Sequence, residues 1–129
     1  MTEVFSMPVD TTQVLEAIFG PLTCDGLVGY DFDDVTWLWK GDERQRFWHQ
    51  RLEGADLAAL QLQLSELFTA DTAQRVLCNI GHPSLAVSLM QYEQVMATVA
   101  AHFNAPVRGT IWRRMGTGYV IDVVVSVVS

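Results

Sequence analysis

The chain has 129 residues, half of them hydrophobic and only 18% charged, which sets one domain with a sizeable core and excludes intrinsic disorder. Its 15 acidic residues against 8 basic ones give a formal net charge of −7, which argues against a phosphate-tracking nucleic-acid surface and a polybasic membrane anchor. Met1–Asp10 has neither a basic n-region nor a long apolar h-region, and no apolar run approaches a membrane span, so a cytoplasmic protein is expected. Cys24 and Cys78 stand alone, without disulfide or zinc-ligand spacing, and read as small core hydrophobes.

Thr11 or Thr12 can cap a first helix with Val14, Leu15, Ile18 and Phe19 on one side, and Gly20-Pro21 is expected to end it. Gly26–Tyr30 is a short apolar stretch, read as a strand. An acidic knot follows, Asp31-Phe32-Asp33-Asp34. Val35–Lys40 fits a strand, because Val35, Trp37 and Trp39 alternate with Thr36, Leu38 and Lys40, and it fits equally a short helix capped by Asp31. Gln45–Arg51 reads as a strand, and Trp37 and Trp48 could pair across a hairpin.

Leu57, Leu60, Leu64, Leu67 and Phe68 have helical spacing, which predicts an amphipathic helix over Asp56–Thr69. Arg75–Ile80 is a strand. Ser88 and Gln91 form a capping box ahead of a helix carrying Tyr92, Val95, Met96, Val99 and Phe103, and Asn104 can stop that helix in a left-handed conformation. Val107–Met115 and Tyr119–Val128 read as two long strands joined by a Gly116-Thr117-Gly118 hairpin. The last is apolar on both faces over most of its length and belongs in the middle of a sheet. The order predicts an α+β fold, a mixed β-sheet with the two long helices packed on one face.

The stretch Gly26-Leu27-Val28-Gly29-Tyr30-Asp31-Phe32-Asp33-Asp34-Val35 resembles the junction between the long central helix and the C-terminal domain of FtsZ, the bacterial tubulin homologue. Gly26, Leu27, Asp31, Phe32, Asp34 and Val35 carry the match. Arg75-Val76-Leu77-Cys78-Asn79-Ile80 resembles a strand of the same family, and the later elements fall in its order, so the resemblance runs from about Val14 to Ser129. Gly29 and Asp33 depart from the family pattern, and these residues contain no counterpart of its GTP-binding domain. The Gly-rich fragment Met115–Gly118 lacks the following helix that a phosphate loop needs. No GTP or ATP binding, no cofactor and no metal site are therefore expected.

In the family this acidic loop enters the next subunit's nucleotide site, where its carboxylates help to position the attacking water. The resemblance thus implies a stand-alone, non-enzymatic protein-binding module. Asp31, Phe32, Asp33 and Asp34 would contact a tubulin-like GTPase or another copy of the chain, with Asp31 and Asp34 on the carboxylate positions. Two other readings stay open. One is an acidic immunity, antitoxin or chaperone-like protein meeting a basic partner. The other is a small oligomeric enzyme with sites between subunits. His49, His82 and His102 share no ligand spacing, and His82 fits a surface or capping role better than a catalytic one. The tryptophans fit core and half-exposed positions before a ligand pocket, and Arg113-Arg114 fits ordinary solvated positions.

Overall fold

The structure is a computed structural model, and it describes residues 11–23, 30, 32–39, 45–69 and 72–128. Its elements are α1 (Thr11–Thr23), α2 (Phe32–Trp39), β1 (Gln45–Gly54), α3 (Leu57–Gln63), β2 (Ala73–His82), α4 (Leu89–Phe103), β3 (Val107–Arg108), β4 (Ile111–Arg113) and β5 (Tyr119–Val128). The apolar stretch 26–30 lies outside the described residues except for Tyr30.

The sheet runs β1-β5-β2, with β3 and β4 both beside β2 on its far edge. β5 is antiparallel to both its neighbours, whereas β3 and β4 run parallel to β2, so the sheet is mixed. As its two-faced apolar pattern predicts, β5 is central, and Val120–Val127 are buried without a break. Side chains alternate across it. Ile121, Val123, Val125 and Val127 share the face of Trp48, whose ring packs on Phe68 behind α3. Asp122, Val124 and Ser126 share the opposite face, where Arg51 reaches Glu16 of α1. Hence α3 and α4 cover one face together, and α1 and α2 cover the other.

Several boundaries differ from expectation for physical reasons. α1 runs through Gly20-Pro21 to Thr23, because side chains from elsewhere in the fold satisfy the carbonyls that the proline disturbs. Its apolar stripe is divided. Ala17 and Ile18 are buried, while Leu15 and Phe19 face outward and are exposed. α3 ends at Gln63 and continues as one turn of 3-10 helix, Leu64–Glu66. The three-residue turn keeps Leu64 and Leu67 over each other, and both are buried.

Val107–Met115 is two short strands, broken at Gly109-Thr110. A Cβ on Gly109 would collide with the Cys78 carbonyl oxygen, so β2 and this break are in direct backbone contact. The expected hairpin into β5 is also absent. β4 and β5 lie on opposite sides of β2, so Arg114–Gly118 crosses the end of β2, with the Arg114 N–H donating to the His82 carbonyl. The capping box is formed as read, with Ser88 Oγ accepting from the Gln91 N–H and Gln91 Oε1 from the Ser88 N–H. Asn104 closes α4 at φ 51°.

Candidate partner-binding site

α2 resolves the ambiguity over Val35–Lys40 in favour of a helix across Val35–Trp39. Asp33 and Asp34 fall in its first turn, where the unpaired N–H groups and the helix dipole favour carboxylates. Asp31 lies outside the described residues, and Phe32 is described only as the first residue of the helix. Asp33 is exposed, and its carbonyl accepts from the Thr36 hydroxyl. Asp34 is less open. Its carboxylate accepts from Arg108 Nη1 at 3.4 Å, with the two side chains 20% and 47% exposed.

Arg108 also lies over the Trp37 ring, 4.6 Å from its centroid, and Arg75 approaches the same ring at 5.9 Å. The register of β2 with β3 sets Arg108 opposite Leu77, two residues after Arg75, so the two arginines are diagonal neighbours on one face at the start of the parallel pair. Trp37 therefore does not pair with Trp48. Instead Asp34, Arg108, Trp37 and Arg75 form a cation–π and ion-pair cluster fixing α2 to the sheet edge. Trp48 and Trp112 are core residues, and Trp39 is 42% exposed, stacked on Phe47.

A second polar cluster lies beneath α1. Asp122 accepts from Arg51 through both carboxylate oxygens, at 2.8 and 3.1 Å, and its Oδ1 is 2.8 Å from His49 Nε2. Arg51 reaches on to Glu16 at 2.8 Å, and Arg114 donates to the same carboxylate at 3.0 Å. Burial works against the Arg51 charge, but its bonds to Asp122 and Glu16 outweigh this and hold its pKa above the ordinary arginine value. The cluster joins β1, β5, α1 and the end of β4. Its one signal in the sequence is Asp122, the single charge in a largely apolar strand; the partners lie far away along the chain.

The remaining candidates are structural. His82 Nδ1 accepts from the N–H groups of Ser84 and Ala86, and its ring stacks on Tyr119. It organises the loop after β2, a capping role. His102 Nε2 lies within hydrogen-bond distance of the Leu67 and Phe68 carbonyls and ties α4 to the end of α3's extension. Arg113 reaches the Pro83 carbonyl. Burial pushes the Cys78 thiol up, so it is not a reactive thiolate. No group of three His, Cys, Asp or Glu residues that could hold a metal occurs among the described residues.

No protein-family model and no curated protein sequence matches this chain. Solved structures do. A point-mutant FtsZ from M. jannaschii superposes with a TM-score of 0.66 at 18% identity, over 92% of this chain and 38% of that one. The empty FtsZ dimer of the same organism gives 0.61 at 18%, over 98% and 40%. TubZ from Bacillus thuringiensis serovar israelensis, in a GTPγS-form protofilament, gives 0.56 at 17%, over 82% and 31%. The chain therefore spans about 40% or less of the length of these structures. It has the fold of the FtsZ/tubulin C-terminal domain.

Proposed function

We propose that this chain is a non-enzymatic protein-binding module that docks on a tubulin-like GTPase, or on another copy of itself, through Asp31-Phe32-Asp33-Asp34. The reading is supported by one observation above others. In a fold of this type, the acidic segment leads into a short helix whose first turn carries Asp33 in the open and Asp34 half open.

The energetics allow it. Docking through Asp34 displaces or shares its contact with Arg108, a partly exposed pair of a kind worth about 0–1 kcal/mol. A charge-assisted bond to a partner offsets that loss. On a GTPase partner, Asp31 and Asp34 would act in trans, orienting the water that attacks the γ-phosphate in the desolvated junction. The catalytic nucleotide site would belong to the partner.

The test is co-sedimentation of the purified chain with the tubulin-like GTPase of its host in the presence of GTP, beside sedimentation velocity of the chain alone. Association in either experiment supports the proposal. A chain that stays monomeric and remains in the supernatant contradicts it.

A further inference from the structure

The two edges of the sheet are built differently. On one side β3 and β4 are two and three residues long and are interrupted at Gly109-Thr110, a short and broken edge of the kind that resists further pairing. On the other side β1 runs through Gln45–Gly54 in unbroken register with β5, without a bulge and without a proline.

Hydrogen-bond parity fixes which main-chain groups of β1 are used. Along a strand, the N–H and C=O groups of successive residues turn to alternate sides. Val76 and Ile80 donate away from β5, to the Pro106 and Thr110 carbonyls, so Leu77 and Asn79 bond to β5. Their partners Val124 and Asp122 are thereby engaged with β2, which leaves Ile121, Val123 and Val125 to bond β1 through Leu52, Gln50 and Trp48. The N–H and C=O groups of His49, Arg51 and Glu53 therefore point out of the sheet. Exposure agrees. Trp48 and Leu52 are buried, whereas His49 is half-buried although its side chain is only 3% exposed, so the surface it shows is main chain. Among the described residues no hydrogen bond reaches these outward groups.

We propose that β1 is a self-pairing edge, through which two copies of the chain join antiparallel into one continuous sheet about a two-fold axis at Gln50. A foreign strand would satisfy one open edge, whereas a second copy satisfies two with the same bonds. In this register His49 and Arg51 exchange main-chain bonds across the seam, and Trp48 of each copy lies beside Leu52 of the other, apolar against apolar. Trp39, 42% exposed and stacked on Phe47 near the start of the strand, flanks the seam, so the same contact covers an aromatic ring that the monomer leaves open. The net charge of −7 opposes association in general, but β1 itself carries Arg46, Arg51 and Glu53 and is not acidic. The contact is separate from the acidic segment of α2 and goes beyond the docking proposed for it.

The test follows the outward amides of the wild-type chain. Sedimentation velocity over about a hundredfold range of concentration gives the oligomeric state, and amide hydrogen exchange is read by NMR on the same samples. The chain should form a dimer in which the N–H groups of His49, Arg51 and Glu53 exchange at least about tenfold more slowly than in the monomer. Glu53→Pro removes one outward N–H and leaves the ladder to β5 intact. It should keep the melting temperature and weaken dimerisation at least about tenfold, which supplies the monomer for comparison. A wild-type chain that is monomeric throughout overturns the proposal. So does a dimer whose three amides exchange as freely as the monomer's, because its contact then lies elsewhere, the acidic segment included. If Glu53→Pro does not fold, the exchange measurement on the wild type decides alone, with its dilute monomer as the reference.

Discussion

The side-chain amide of Asn79, at the centre of β2, donates to the carbonyl of Ala17 in α1 at 2.8 Å. Ala17 lies four residues before Pro21, so this carbonyl would otherwise have met the N–H that proline lacks. The Tyr30 hydroxyl donates to the next carbonyl, Ile18, also at 2.8 Å. Asn79 Oδ1 meanwhile accepts from the Thr110 N–H at the break between β3 and β4. One buried amide thus completes a helix on one side and a strand break on the other.

Asn79→Ala should therefore cost about 2–4 kcal/mol, since it orphans a buried acceptor and a buried donor. In a Pro21→Ala background the cost should fall by about 1 kcal/mol, because residue 21 then supplies the missing N–H. Chemical denaturation of the four chains of this cycle measures the coupling. Strict additivity would show that Asn79 does not serve the proline-disturbed turn.

Asp122→Ala leaves the Arg51 guanidinium, with its side chain 8% exposed, facing an empty site beneath α1. Removing one partner of a buried pair costs about 3–5 kcal/mol. The substitution should lower the melting temperature more than Glu16→Ala does, since Glu16 is 38% exposed and water replaces part of its role. Equal losses would mean that the cluster is not anchored at Asp122.

Gly109→Ala places a methyl group against the Cys78 carbonyl and must separate β3 from β2. We expect a loss on the order of 3 kcal/mol, seen in denaturant melts. Gly116→Ala, in the open crossing after β4, should cost less, mainly through its φ of 124°.

Burial pushes the Tyr30 and Tyr92 hydroxyls up to about 12, from an ordinary value of 10.0. Their neutral forms are favoured in the fold, so the stability they add is complete below pH 10 and is lost as pH rises from 10 towards 12. The melting temperature should drop over that window, and the drop should be shallower in Tyr92→Phe. A pH-independent melting temperature across the window would contradict this.

Much of the fold was legible because its signals are local. The Ser88–Gln91 capping box, the Asn104 stop and the mostly apolar run of β5 each determine a structure within a few residues. The errors share a cause, since each depended on a distant contact. Gly20-Pro21 reads as a stop until Asn79 and Tyr30 arrive from elsewhere. Val107–Met115 reads as one strand until Gly109 meets Cys78. The turn at Gly116–Gly118 reads as a hairpin until β2 is inserted between its strands. At the site, the acidity of the segment was plain in the sequence, but the Asp34–Arg108 contact was not, because it spans 74 residues. The network around Asp122 joins positions just as far apart.

The proposal that the acidic segment serves a partner is tested most directly by the double replacement Asp31→Ala/Asp34→Ala. Thermal melting and co-sedimentation with the host's tubulin-like GTPase are measured on the same preparation. Asp34 is only partly buried, so the double variant should lose about 1 kcal/mol of stability or less and melt almost as the wild type does. Its association with the GTPase, or with itself, should fall at least tenfold. A clearly lowered melting temperature with association intact would contradict the account, showing that these carboxylates act only within the fold and bind no partner.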